Sequence, residues 1–239
     1  MLFRSLFMEM PVPLVTRLWR YEVSERIRAD GQIITALDES SVVEVARAIA
    51  SSDVDAVAVS LLHSYQNPSH ERRIREILKQ EAPNAIVCIS SDVMPEIGEY
   101  ERTSTTICNA YVLPTFTRYL ARLTRRFHEM GIDKELYLML SDGGTVHEST
   151  AAIYPIRLVQ SGPAGGVQAA AAINKVVADG DSQGDILCFD MGGTTAKACL
   201  VEDGNPMHAN EFEVARIFRG KKGSGIPLKI PVIDMIEIG

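Results

Sequence analysis

The sequence predicts an α/β protein built on a parallel sheet, and three consecutive segments carry that prediction. Residues 55–62 (DAVAVSLL) and 84–90 (NAIVCIS) are short, continuous apolar runs, typical of strands that are buried on both faces. Residues 67–83 lie between them and have the pattern of a helix that opens at Asn67-Pro68 and stops before Pro83. This order of strand, helix and strand predicts a parallel pair of strands joined by a crossover helix.

The flanking segments continue the alternation of strands and helices. Turn residues, apolar periodicity and proline positions define each of them. In chain order we predict a strand pair at 18–38, a helix at 40–52, two helical stretches within 95–131 separated near Pro114, a strand at 134–140, a glycine-rich loop and an alanine-rich helix within 161–180, and a strand, a loop and a second strand within 185–200.

Composition restricts the classes of function. The chain has 239 residues, 46% of them apolar, and a net charge of 24 − 31 = −7, which argues against nonspecific binding to nucleic acid or to anionic membranes. No apolar stretch approaches the roughly 20 residues of a membrane span. The four cysteines form no CxxC and have no histidine cluster beside them, so we expect reduced thiols in a cytoplasmic protein rather than a zinc site.

A polar loop, DMGGTTAK (190–197), interrupts two apolar strands near the end of the chain. Gly192 and Gly193 permit backbone conformations in which successive N–H groups surround an anion, and they let a ligand approach the main chain closely. Thr194 and Thr195 add hydroxyl donors for phosphate oxygens. These residues predict a phosphate-binding loop.

The charged residues of the same loop suit a magnesium–nucleotide complex. Asp190 stands at the end of the first strand and is a candidate Mg²⁺ ligand, directly or through water. Lys197 is a candidate for neutralising charge on a transferring phosphoryl group. The alternative is a β-hairpin whose turn happens to contain Gly-Gly-Thr, and the residues alone leave both interpretations open.

Two other glycine-rich segments are candidate ligand sites. SGPAGG places Ser161, Gly162, Gly165 and Gly166 before a helix N-terminus, where free N–H groups favour an anion; the alternative is a tight contact between helix and sheet. SDGG (141–144) follows a strand and repeats the Asp-Gly-Gly pattern. There Asp142 is a candidate second metal ligand or water-positioning carboxylate, with Gly143 and Gly144 beside the ligand; the alternative is a simple turn.

Other polar groups have weaker functional signals. The segment 95–114 contains four consecutive hydroxyl side chains (103–106). We expect them either to line a site, to contact another domain or to cap the start of a helix. His63 and His70 are expected to be satisfied structural groups. The sequence has no GxSxG or HExxH motif, which disfavours a nucleophilic hydrolase and a zinc protease.

Five segments together resemble the hydantoinase A/5-oxoprolinase family, whose relatives include acetone and acetophenone carboxylases. The resemblance covers nearly the whole chain from about residue 20 onwards. The segments are DAVAVSLLHSYQNPSHE, SSDVMPEIGEYERTSTTICNAYV, LMLSDGGTV, SGPAGGV and FDMGGTTAKACLVEDG. The resemblance implies an actin-like, ribonuclease-H-type ATPase fold, present here incompletely, in which α/β domains bind ATP between glycine-rich hairpins.

The resemblance also implies an activity and its cofactors, ATP and Mg²⁺. Family members use ATP to open a cyclic amide such as a hydantoin, N-methylhydantoin or 5-oxoproline, by phosphorylating the lactam carbonyl oxygen. In this chain Asp190, Gly192, Gly193 and Thr194 match the second-domain phosphate hairpin. The alternatives are a subunit of an ATP-dependent ketone carboxylase and a non-catalytic actin-like module. A B-type subunit or a fused domain is the implied partner.

The chain differs from the family pattern before residue 141, where no other Asp-Gly-Gly-Thr hairpin occurs. We therefore expect an internal fragment with one of two phosphate hairpins, which alone binds nucleotide poorly and hydrolyses little ATP. The expected segments are 1–50, a remnant of the first-domain hairpin region with a helix; 51–160, an α/β domain; and 161–239, the start of a second ribonuclease-H-like domain.

Overall fold

The computed structural model describes residues 9–177, 184–193, 195–218 and 220–238. In these ranges the helices are α1 (Glu39–Ala50), α2 (Ser69–Glu81), α3 (Ser90–Val93), α4 (Glu99–Glu129), α5 (Glu148–Ala151) and α6 (Ser161–Val177). The strands are β1 (Arg26–Ile27), β2 (Ile33–Thr35), β3 (Ala56–Val59), β4 (Ile86–Ile89), β5 (Tyr137–Met139), β6 (Thr145–His147), β7 (Ile186–Met191), β8 (Ala196–Glu202), β9 (Asn205–Pro206), β10 (His208–Ala209), β11 (Phe212–Val214), β12 (Ile226–Leu228), β13 (Val232–Ile233) and β14 (Ile236–Ile238). None of these helices is long and apolar enough to cross a bilayer.

The chain divides into two compact units. Unit 1 contains residues 1–119 and 213–229, and unit 2 contains residues 120–212 and 230–239. The three segments expected from the sequence stay a prediction, because compactness alone does not define the domains of a family.

The core of unit 1 is the predicted strand–helix–strand arrangement. β3 and β4 pair in parallel, with Ala56 opposite Ile86 and Val59 opposite Ile89, which confirms the prediction. Helices α1 and α2 cover the pair and bury apolar residues spaced at helical intervals against it. The strand pair predicted at the start of the chain is also confirmed, as the antiparallel pair β1–β2.

Helix α4 runs through Pro114 without a break, so the predicted division into two helical stretches is wrong. An internal proline removes one helical hydrogen bond and costs about 3 kcal/mol. Buried Cys108, Ala110 and Leu113 precede it in the same helix, and buried Leu120 follows it. We attribute the continuity to burial of this apolar surface, which outweighs the cost of the proline.

The consecutive hydroxyls of α4 form bonds inside unit 1. Thr105 and Thr106 donate to the carbonyl oxygens four residues earlier, at Glu101 and Arg102. The Thr103 hydroxyl lies 2.7 Å from that of Ser60. The hydroxyls are therefore accommodated by bonds back to the helix and to a neighbouring loop.

A buried polar network joins the ends of β3 and β4 to α2 and α4. The Glu71 carboxylate is fully buried and accepts hydrogen bonds from the Leu61 and Ser91 amides and from the Ser90 hydroxyl. Buried Arg102 donates from Nε to the same Ser90 hydroxyl. Because buried charges are costly without partners, this network fixes the loops that follow both strands.

The two histidines have different environments. His70 Nδ1 lies 2.8 Å from the Glu25 carboxylate, and both side chains are buried, so His70 is the satisfied group that the sequence predicts. His63 is not: its Nδ1 is buried without a hydrogen-bond partner among the described residues, and its φ is 58°.

Unit 2 is built around a small antiparallel sheet with strand order β14–β8–β7, and β9 pairs with the other part of β8. Helix α6 packs on one face of this sheet through Ala164, Val167 and Ala171, which contact Cys199 and Val201. A separate hairpin, β5–β6, contains the SDGG turn.

All four cysteines of the chain are free thiols, and burial raises the pKa of Cys108 to about 11.

We predict that Glu71→Ala lowers the free energy of unfolding by about 3–5 kcal/mol, because it leaves the Leu61 and Ser91 amides and the buried Ser90 hydroxyl without their acceptor. Urea unfolding followed by circular dichroism measures the change. Glu76→Ala on the same helix is the control, since Glu76 is exposed and, among the described residues, pairs with Arg73 alone; it is expected to cost less than about 1 kcal/mol. Equal losses for the two variants would contradict a structural role for the buried network.

Candidate functional site

The loop at 190–197 is the tip of a regular β-hairpin. β7 and β8 are antiparallel, with Asp190 opposite Lys197 and Met191 opposite Ala196. The Gly192 amide donates to the Thr195 carbonyl across the tip at 3.0 Å. This confirms the predicted strand, loop and strand, and Thr194 lies outside the described residues.

Asp190 and Lys197 project from the side of the hairpin that α6 covers. Side chains alternate between the faces of a strand, so Asp190 shares its face with Cys188, which packs against α6. Across the hairpin, Lys197 shares that face with buried Cys199. The opposite face of β7 carries exposed Leu187, Phe189 and Met191. The charged pair therefore continues the α6-covered face towards the tip.

Lys197 is bound by a neutral group. Its Nζ donates to Gln160 Oε1 at 3.0 Å, and no carboxylate of the described residues lies within ion-pair distance of it. Gln160 is 8% exposed and immediately precedes α6. The hydrogen bond therefore joins the base of the hairpin tip to the N-terminus of α6.

Asp190 is the best-placed candidate for a metal ligand. Its carboxylate is exposed at the end of β7 and makes no hydrogen bond or ion pair with other described residues. The described residues contain no group of three or more metal-binding side chains. A single free carboxylate fits Mg²⁺ held mainly by water and phosphate oxygens, and does not fit a metal held by protein ligands alone.

The glycine-rich segment SGPAGG is helical, so the predicted loop at its start is wrong. Helix α6 begins at Ser161, and its first backbone bond runs from the Ala164 amide to the Gln160 carbonyl at 3.1 Å. Pro163 suits the first turn of a helix, where its missing N–H would have no acceptor. The Ser161 and Gly162 amides of this turn have no acceptor within the helix. The N–H groups of the predicted anion site at the helix N-terminus are therefore present, although no loop precedes them within SGPAGG.

Packing does not require the glycines of α6. A methyl group at Gly165 would make ordinary contact with Met139, whose nearest atom is 3.7 Å away, and a methyl group at Gly162 or Gly166 would meet nothing within 4 Å. Glycine inside a helix is about 1 kcal/mol less favourable than alanine. The glycines are therefore not needed for a close contact between helix and sheet, whereas small Ala164 and Ala171 are buried in that contact.

The SDGG segment forms the turn of the β5–β6 hairpin. The Leu140 amide donates to the Gly144 carbonyl, and the Asp142 carboxylate accepts the Gly144 amide at 2.8 Å. Gly143 has φ +83°, in the left-handed region that favours glycine. These features match the simple-turn alternative, in which one Asp142 oxygen stabilises the turn. No hydrogen bond or ion pair among the described residues links Asp142 to Asp190 or Lys197. Its role towards a metal or water stays a prediction.

A hydrogen-bonded chain nevertheless connects the three glycine-rich segments. The fully buried Ser141 side chain donates to the Arg157 carbonyl and accepts from the Gln160 amide at 3.3 Å. Gln160 in turn binds Lys197 through its side chain. Gln160 was not predicted as a site residue; its position directly before SGPAGG is the signal in the sequence that could have marked it.

The chain matches two family models. Residues 102–239 match the hydantoinase/oxoprolinase model, and residues 2–82 match the model of the hydantoinase/oxoprolinase N-terminal region.

Curated relatives and solved structures agree with these matches. The chain is 32% identical to caprolactamase subunit alpha of Pseudomonas jessenii and 31% identical to the acetone carboxylase beta subunit of Xanthobacter autotrophicus, over 95% of its length in each case. It spans only 31% and 30% of those two proteins. A nucleotide-free structure of acetone carboxylase superposes with a TM-score of 0.80 at 30% identity, covering 96% of this chain and 31% of that one. A structure of ATP-dependent caprolactamase gives 0.79 at 26% identity, covering 99% and 32%.

We predict opposite effects of alanine at two glycines of unit 2. Gly166→Ala is expected to raise the free energy of unfolding by about 0.5–1 kcal/mol, because the position is helical and open. Gly143→Ala is expected to lower it by about 1–2 kcal/mol, because alanine resists a positive φ. Its methyl group would also lie 2.3 Å from Gln168 Nε2.

Thermal and urea unfolding of the two variants measure both effects. The double variant Gly143→Ala/Gln168→Ala separates the two causes, since it removes the collision and leaves the backbone strain. A stabilised Gly143→Ala, or a destabilised Gly166→Ala, would contradict this description of the two glycines.

Proposed function

Because the chain belongs to the hydantoinase/oxoprolinase family, we propose that unit 2 supplies one phosphate-binding half of an ATP site used to open a cyclic amide. Its relatives include ATP-dependent amide-hydrolysing and carboxylating enzymes. The observation that carries the proposal is the placement of Asp190 and Lys197 on one face of a glycine-tipped hairpin, beside the N-terminus of α6. In this proposal the sheet of unit 2 is part of an actin-like, ribonuclease-H-type fold.

The main-chain amides of the site bind phosphate oxygens. Gly193 presents its N–H group at the exposed tip, where the Gly192 amide is already bound to the Thr195 carbonyl, and Ser161 and Gly162 present the first-turn N–H groups of α6. Thr195 adds a hydroxyl, as Thr194 is predicted to do. Such groups suit a polyanion on an acidic protein, because main-chain N–H groups supply local donors without requiring a basic surface on a chain with a net charge of −7.

The charged side chains have separate roles. Lys197 neutralises charge on the phosphoryl group during transfer. Asp190 is the residue that would hold Mg²⁺, and the ion would neutralise charge on the phosphate groups. Fixed positions for both charges lower the barrier by orientation and electrostatics, without a protein nucleophile.

The reaction in this proposal is hydrolysis of a lactam. An amide carbonyl is a poor electrophile, and transfer of the γ-phosphoryl group of ATP to its oxygen makes the ring carbon reactive towards water. Water adds to that carbon, and the C–N bond of the ring breaks as the nitrogen takes a proton, which leaves an acyl phosphate. A second water then hydrolyses the acyl phosphate to a carboxylate and inorganic phosphate. The identity of the ring, whether a hydantoin, N-methylhydantoin or 5-oxoproline, is part of the proposal for the whole enzyme.

A second candidate is a subunit of an ATP-dependent ketone carboxylase. The superposition on acetone carboxylase favours it as strongly as the superposition on caprolactamase favours the amidase. Both candidates use the same phosphate site and differ in the group that accepts the phosphoryl. Both also imply a partner, a B-type subunit or a fused domain, because the similar curated proteins are themselves subunits and this chain spans about a third of their length.

We predict weak binding of Mg·ATP to this chain alone, since it carries one predicted phosphate hairpin, DMGGT (190–194), and the resemblance to the family implies that a complete site uses two. Isothermal titration is expected to give a dissociation constant of about 1 mM or weaker, equivalent to about −4 kcal/mol or less binding energy. Micromolar binding would contradict the expectation that a single hairpin binds nucleotide weakly, and would leave the assignment of the phosphate site unchanged.

We predict that Asp190→Asn weakens the Mg²⁺-dependent part of ATP binding by about tenfold, or about 1.4 kcal/mol, because the neutral amide is a poor Mg²⁺ ligand. ATP titrations with and without Mg²⁺ measure this difference. Asp185→Asn is the matched control, since Asp185 precedes the same strand at its other end. An unchanged ATP turnover in Asp190→Asn of the complete assembly would favour a non-catalytic module.

We predict that the complete assembly consumes ATP in response to a lactam and not in response to bicarbonate with a ketone. Phosphate release measured with each substrate separates the two candidates. Consumption that requires bicarbonate and a ketone would replace the amidase with the carboxylase and would keep the site assignments.

A further inference from the structure

We propose that Gln160 is a positioning residue, which holds the Lys197 ammonium group at the base of the β7–β8 hairpin through a neutral acceptor. Its consequence for phosphate binding rests on the proposed function. The contact itself stands on the structure, through the 3.0 Å hydrogen bond from Lys197 Nζ to Gln160 Oε1.

Gln160 is itself held in place by bonds at its backbone. Its amide donates to the Ser141 hydroxyl, and its carbonyl accepts the first hydrogen bond of α6, from Ala164. The residue is 8% exposed, so its side chain has little freedom to move. An acceptor fixed in this way gives the half-buried Lys197 side chain one preferred position.

Because Gln160 is neutral, it leaves the positive charge of Lys197 in place. A carboxylate at the same position would form an ion pair with Lys197 and would neutralise it. The amide oxygen orients the ammonium group without cancelling its charge, and it uses one of three N–H donors. The other two donors remain for an anion. Asp190 lies opposite Lys197 in the hairpin, and in the proposed function its carboxylate would hold Mg²⁺.

A purely structural role for Gln160 makes a different prediction. If the hydrogen bond only fastened α6 to the hairpin, the volume of the side chain would matter most. Gln160→Glu, which keeps that volume, would then be milder than Gln160→Ala. If Gln160 controls the charge of Lys197, the two substitutions change Lys197 in opposite directions.

The test measures the reactivity of the Lys197 amine, without any nucleotide. The unaltered chain, Gln160→Ala and Gln160→Glu are treated with acetic anhydride, and acetylation of each lysine is followed by mass spectrometry. Lys175, exposed on α6, is the internal reference. Gln160→Ala is expected to raise the rate at Lys197 about threefold or more, because loss of the acceptor frees the amine and exposes it to the reagent. Gln160→Glu is expected to lower it about threefold or more, because a carboxylate at this position holds the amine in an ion pair.

Equal rates at Lys197 in all three proteins, or changes of the same sign in the two variants, would overturn the proposal. Circular dichroism and the rate at Lys175 show whether each variant is folded. If Gln160→Ala fails to fold, the sign of the change in the nearly isosteric Gln160→Glu decides.

A second measurement separates this inference from the proposed function. In the unaltered chain, millimolar Mg·ATP or Mg·triphosphate is expected to protect Lys197 from acetylation and to leave Lys175 unaffected. Opposite rate changes in the two variants without any protection by Mg·ATP would support Gln160 as the positioning residue and contradict the phosphate site.

A double-mutant cycle with Lys197→Met tests whether the effect of Gln160 on anion binding passes through Lys197. Gln160→Ala is expected to weaken Mg·triphosphate binding about threefold when Lys197 is present and to change it little when Lys197 is absent. The same loss in both backgrounds would assign Gln160 a role independent of Lys197 and would overturn the proposal.

Discussion

Two hydrogen bonds to Gln160 are the constraint on which the candidate site depends. One joins its amide to Ser141 at the SDGG turn, and the other joins its side chain to Lys197 in the hairpin. Helix α6 begins immediately after this residue. Three segments that are far apart in the sequence are therefore held at the N-terminus of one helix, where main-chain N–H groups and a positive charge favour an anion.

Different small residues of helix α6 serve packing and the proposed binding of a ligand. Ala164, Val167 and Ala171 bury one face of the helix against the sheet, which fixes its direction towards the hairpin tip. Gly162 and Gly166 lie outside that contact, and an alanine would fit at both positions. These glycines lower helix stability without improving the packing of α6. Close approach of a ligand to the backbone, in the proposed phosphate site, would explain their presence.

The sequence predicts elements well where a local pattern decides the structure. The apolar runs around residues 57 and 87 gave a parallel pair, and the Gly-Gly loop gave a hairpin, because burial and turn chemistry act over a few residues. It fails where burial outweighs a local rule: α4 continues through Pro114, and SGPAGG is helical although glycine and proline are typical of loops. Gln160 has no motif of its own. Its importance comes from a contact with a residue 37 positions later, which no local pattern contains.

Chemical-shift mapping of the isotope-labelled chain with Mg²⁺ and a non-hydrolysable ATP analogue tests most directly whether these segments form one phosphate site. A single phosphate site predicts that the largest amide shifts occur together at Ser161, Gly162 and Gly193, and saturate with a single dissociation constant. Shifts that are absent from these amides at saturating analogue, or that occur at the hairpin tip and α6 with different dissociation constants, would contradict it.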